Sequence, residues 1–254
     1  NYERISLKNY FYLNINIPLW GLINGTEMLV KSGYYHNGTV IDLFVNFTYV
    51  NNFERYMLLP NITHFIMTKN VTVYVAKVLQ YYLQVDSEYP VTAFINGTKE
   101  NLTTNWYNYS EKIEIPPQTY YVNNQQREVL INPINITITE ATNYTARWQT
   151  QYYVYVSFPI NASVDGKYEV INSSWYNAST VIIINQNPQY IGKFERVYIY
   201  SKLPIEVIVN SPMKITINAT VQFYVFFEMS VQGKVNGINE NLTSNWYSMF
   251  TVIK

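Results

Sequence analysis

Apolar residues in this chain either alternate with polar ones or gather in runs of five to eight, and no apolar stripe of helical period outlasts two turns. Tyr, Val, Ile, Thr and Phe fill the runs, while Asn, Gly and Pro punctuate them, which is the pattern of short strands joined by tight turns. Thr145–Phe158, Val181–Ile184, Arg196–Tyr200, Glu206–Val209 and Lys214–Thr220 are typical stretches. The pattern predicts an all-β protein.

The strand words recur. Gln80-Tyr81-Tyr82-Leu83-Gln84-Val85 returns as Gln151-Tyr152-Tyr153-Val154-Tyr155-Val156 and as Gln222-Phe223-Tyr224-Val225-Phe226-Phe227, at one constant interval. After each comes a Trp-Tyr pair set in small polar residues, at Trp106, Trp175 and Trp246, with the Gln-to-Trp gap slightly longer in the first copy than in the other two. These tryptophans are expected to anchor one turn onto each core. Arg127-Glu128-Val129 and then Asn132–Ile138 read against Glu195-Arg196-Val197 and then Asn210–Ile217. A weaker earlier copy starts at Asn9-Tyr10-Phe11-Tyr12-Leu13.

The chain therefore reads as tandem antiparallel β-sandwich (immunoglobulin-like) domains built from a degenerate repeat of about 71 residues. Its parts are 1–8, 9–79, 80–150, 151–221 and a half unit, 222–254. A unit this small buries a thin core, so the units are expected to group into two sandwiches, about 1–79 plus neighbours and about 80–254. The first boundary falls near Val78–Gln80, and the lack of Gly/Ser linkers implies rigid junctions. The half unit leaves an unpaired strand edge. Three completions are open: the N-terminal segment or first-unit strands, another molecule, or a longer chain.

Composition narrows the class. The 254 residues hold 17 basic and 17 acidic side chains, only 13% charged, and no Lys/Arg cluster, so there is no electrostatic footprint for nucleic acid. No run of about 18 apolar residues exists, so no transmembrane helix is expected. Asn and Ser/Thr are abundant, at 31 and 35 residues, and form 15 Asn-x-Ser/Thr sequons where chance gives about four. They are Asn24, Asn37, Asn46, Asn61, Asn70, Asn96, Asn101, Asn108, Asn135, Asn143, Asn161, Asn172, Asn177, Asn218 and Asn241. The excess points to an exported chain with covalent N-linked glycans. Low charge suits an acidic exterior, where carboxylate salt bridges fail on protonation.

Chemistry is sparse. Cysteine is absent, His36 and His64 stand apart in sequence, and Asp occurs only at 42, 86 and 165. No signature surrounds them, so the chain reads as non-enzymatic, with no metal and no cofactor. Interleaved aromatics without basic residues do not make a base-stacking surface, although Tyr and Trp also stack on sugars.

The Tyr-Tyr-Val strand, the Trp-Tyr-Asn turn and the density of sequons resemble extracellular β-domain proteins of thermoacidophilic crenarchaea. That group includes S-layer proteins, modules appended to secreted acid proteases, and heavily glycosylated surface threads. The resemblance covers Asn9–Lys254 in repeat style, and the thread subunit is nearest in size. It implies a cell-surface homopolymer in which the N-terminal strand of one subunit completes the sandwich of the next, in contact with an S-layer or neighbouring cells. The donor would lie within Asn1–Ile17, with Ile5, Leu7, Phe11, Leu13, Ile15 and Ile17 as alternating knobs. Because Asn9–Leu13 also matches the repeat's own first strand, the free donor shortens to Asn1–Lys8 if that strand pairs at home. The rivals are an S-layer or wall lattice fragment and a carbohydrate-binding or adhesion module.

Overall fold

The computed structural model describes residues 9–254. Ile5 and Leu7 lie outside the described residues. The described chain consists of strands with no helix, in several mainly antiparallel sheets. It divides into two compact units: one runs to Pro117 and adds Asn132–Arg147, the other takes Gln118–Ile131 and Trp148–Lys254.

In the first unit, Tyr10–Ile15 lies between Gly33–His36 and Val71–Val73. A second sheet is ordered Thr26–Val30, Leu19–Ile23, Val40–Leu43, His64–Ile66. Alternation decides what each strand buries. Leu13 and Ile15 point inward while Tyr10 and Tyr12 stay exposed. Leu13 meets Leu19, Ile41 and Met67 from the other strands in one core in which all four are fully buried.

The next layer of that unit is organised by the 12-residue strand Val75–Asp86. Its first half pairs antiparallel with Glu54–Pro60, which forms a hairpin with Asn46–Asn51. Its last residues, Leu83–Asp86, pair in parallel with Thr142–Thr145, and Asn105–Asn108 flanks Gln80–Leu83. Val75 belongs to the core around Leu13, whereas Leu83 is buried beyond it beside Thr142. The boundary expected near Val78–Gln80 thus falls inside one unbroken strand. Val78 and Leu79 are held by cross-strand partners Met57 and Tyr56, so no linker exists there.

The second unit repeats these pairings. Trp148–Val156 receives Gln126–Leu130, Ser174–Asn177 and, in parallel, Met213–Ile215. Ala219–Val225 receives Glu195–Ile199 and Asn245–Ser248. One core joins Val154, Ile171, Ile182, Ile184, Val209 and Val197 across three sheets. The last hairpin, Val231–Val235 with Ile238–Leu242, meets the chain's final residues through a bridge to Ile253 and hydrogen bonds between Asn236 and Val252.

Two sequence matches shift. Tyr10 faces His36 as Gln80 faces Asn108, so Tyr10, not Asn9, holds the place of Gln80. Ile134–Thr137 pairs with Lys112–Ile115, whereas Met213–Ile215 pairs with Trp148–Val156, so the similar words Asn132–Ile138 and Asn210–Ile217 serve different sheets. Word likeness reports alternation, not partner.

Four hairpin turns share one device. Asn24-Gly25, Asn96-Gly97, Asp165-Gly166 and Asn236-Gly237 all have two successive positive φ values, the backbone of a two-residue hairpin turn. Each side-chain Oδ1 accepts the amide 16 residues on, at Val40, Lys112, Val181 and Val252, over 2.8 to 3.0 Å.

Candidate functional site

Three clusters recur on the sheet faces turned away from the cores. Arg55 Nε donates to Gln80 Oε1 at 2.9 Å, while its guanidinium lies 4.4 Å from the Trp106 ring centre. Arg127 repeats this with Gln151 and Trp175 (2.8 and 4.5 Å), and Arg196 with Gln222 and Trp246 (2.8 and 4.4 Å). Two tyrosines close each cluster: Tyr49 and Tyr82, Tyr121 and Tyr153, Tyr190 and Tyr224. The pairing registers explain the grouping, since Tyr49, Arg55 and Gln80 lie opposite one another across three strands. The cation over the ring and the edge-to-face contacts hold hairpin to strand.

Trp106, Trp175 and Trp246 are therefore half-buried on the outer faces, not seated in the cores as expected. Alternation gives the inward place to the next residue. Tyr107 is buried, and the hydroxyls of Tyr35, Tyr107, Tyr176 and Tyr247 each donate to the carbonyl four residues earlier, at Lys31, Thr103, Asn172 and Thr243. The second letter of each Trp-Tyr word was the signal for this anchor. Ring planes in the outer clusters cross at 62 to 74°, which is not the flat ledge on which a sugar ring stacks.

The small polar residues before those words also have a use. The hydroxyls of Ser32, Thr104, Ser173 and Ser244 each accept from and donate to the backbone of one residue at or near the end of the neighbouring strand, at Ile15, Val85, Val156 and Phe227.

Among the described residues, a basic and an acidic side chain meet once. His64 and Asp42, treated as solitary in the sequence, are cross-strand neighbours with Nδ1 and Oδ1 2.5 Å apart on an open surface. Only strand register, invisible in spacing, brings them together. His36 stacks on Tyr10 with ring centres 4.1 Å apart. Asp165 caps its turn through Val181. Among the described residues no group of three His, Asp or Glu could hold a metal ion. Among the described residues no helix is long and apolar enough to cross a membrane.

Of the sequon asparagines, Asn46, Asn108 and Asn161 are half-buried and the other twelve are exposed. Asn24, Asn61 and Asn70 fix Oδ1 on the amides of Val40, Tyr74 and Tyr12, which leaves Nδ2 without a partner among the described residues. Asn46 differs, because its Nδ2 donates to the carbonyls of Trp20 and Phe44.

The candidate donor residues Phe11, Leu13, Ile15 and Ile17 pack in their own core. Leu13 is paired on both sides, with Gly33 and Val71, so it has no edge left to offer. Among the described residues one strand edge of this kind stays open. Leu13–Ile15, Leu83–Asp86 and Val154–Val156 each have a parallel partner strand, but Val225 and the residues after it have none among the described residues. Phe226, the residue after Val225, is 70% exposed. Comparison with family models, with characterised proteins and with solved structures finds no match for this chain.

Proposed function

We propose that this chain is a non-enzymatic, N-glycosylated subunit of an extracellular cell-surface filament, joined head to tail by strand addition. In this reading the units are immunoglobulin-like sandwiches on the degenerate repeat whose copies start at Gln80, Gln151 and Gln222. The observation that carries it is the open edge after Val225, where the three matching strands are all covered. Burying a ring such as that of Phe226 contributes roughly 1.5–3 kcal/mol. An added strand also satisfies the free backbone groups of the edge.

The donor is Asn1–Lys8, through Ile5 and Leu7, since Phe11 to Ile17 serve the home core. The edges of the three hairpins are poor sites for adding a further strand. Each is bulged at the same place, between Tyr49 and Asn51, Tyr121 and Asn123, and Tyr190 and Gly192, and a bulge discourages further pairing.

A synthetic Asn1–Asn9 peptide added in excess tests the mechanism. It is expected to occupy the open edge, raise the thermal midpoint of the monomer and shorten any polymer. A peptide without effect on either overturns strand donation. The home pairing of Tyr10–Ile15 favours one rival, a closed S-layer-type lattice subunit, which the same experiment would leave unchanged.

A further inference from the structure

The sheet ordered Thr98–Asn101, Thr92–Ile95, Lys112–Ile115, Ile134–Thr137 carries a groove of about 480 Å³ on its outer face. That is within the roughly 300–1,000 Å³ of small-molecule sites. Strand register sets two rows along it. Phe94 lies opposite Glu114, which lies opposite Asn135. Asn96 reaches Lys112, which lies opposite Thr137. Ala93, Ile113 and Ile115, at the alternate positions, turn to the buried side.

The groove thus has a half-buried aromatic ring at one wall and charged, hydrogen-bonding side chains beside it. Lys112 and Glu114 make no ion pair among the described residues. At the rim, Asn135 and Thr137 are the first and third residues of a sequon, set on the same outer face. Asn96 also heads a sequon, but its amide is fully engaged: Oδ1 accepts from Lys112 and Nδ2 donates to Glu111, both at 3.0 Å. The Asn135 amide makes no such bond among the described residues. Matching rows in other sheets read Leu22, Asp42, His64 and Ser163, Ile183, Glu206. Neither joins an aromatic to a sequon.

We propose that this groove seats the first sugars of an N-linked glycan on Asn135, with Asn96 left unmodified as part of its wall. A pyranose presents C–H groups on its faces and hydroxyls on its rim. Phe94 covers one such face, and Glu114, Lys112 and Asn96 meet the hydroxyls. The glycan bond forms when Asn135 Nδ2 displaces the phosphate of an activated sugar at its anomeric carbon and releases a proton. The inference rests on the glycosylated reading above.

The test uses protein isolated with its own modifications. Glycopeptide mass spectrometry is expected to find Asn135 occupied and Asn96 bare. Nuclear Overhauser contacts are expected between the Phe94 ring and sugar protons. Phe94→Ser, which installs the residue of the matching row, should keep occupancy, lose those contacts and speed glycosidase release several-fold. Glu114→Gln, at an exposed position, should speed release without disturbing the fold. An occupied Asn135 with no ring contacts and unchanged release overturns the seat alone. A bare Asn135 overturns the glycosylated reading at this position together with the seat.

Discussion

A phenol in a thin β layer has two parts to satisfy, and Tyr107 satisfies both. Its ring is buried and its hydroxyl donates to Thr103 over 2.9 Å. Burial raises the phenol above its usual 10.0, and the bond to Thr103 works the other way. Tyr176 is raised by burial in the same manner, against its bond to Asn172. The folded value exceeds the unfolded one, so this stabilisation is complete below about pH 10 and is lost as pH climbs through the raised folded value. Phenolate absorbance should therefore show Tyr107 and Tyr176 ionising above the usual tyrosine value, together with loss of structure. Tyr107→Phe keeps the ring and removes the hydrogen bond, so it should cost about 1 kcal/mol in denaturant unfolding. An unchanged midpoint would mean the hydroxyl contributes nothing.

Among the elements, small residues set how closely strands approach. A Cβ on Gly21 would collide with the carbonyl oxygen of Asp42 on the neighbouring strand. The matching positions hold Ala93 and Ala162, both buried. Gly21→Ala should cost about 1–3 kcal/mol by overpacking, read as a lower midpoint in denaturant at unchanged slope. Strand character and the Asn-Gly turns were legible in the sequence, because alternation and positive-φ residues are local properties. Pairing was not. Besides its hairpin with Asn46–Asn51, the Glu54–Pro60 strand skips His64–Ile66 and Val71–Val73 to pair with Val75–Tyr81, and nothing in the spacing of apolar residues names that partner. The same gap hid the meeting of Asp42 with His64. It also misassigned Trp106, whose register beside Tyr82 turns it outward and hands the core to Tyr107.

Across the described residues one lock recurs, but the strands it holds do not all gain the same partners. Hairpins carrying Arg55, Arg127 and Arg196 lock onto the strands of Gln80, Gln151 and Gln222. The strand of Gln222 is the one with no parallel partner beyond Val225 among the described residues. In the proposed filament this edge, beside the exposed Phe226, receives the strand of the next subunit. The most direct measurement is electron microscopy, after hot SDS treatment, of the intact protein beside a variant lacking Asn1–Lys8. Strand donation predicts SDS-resistant filaments of uniform width from the intact protein and monomers alone from the shortened one. Monomers from both, or flat sheets from both, would contradict it.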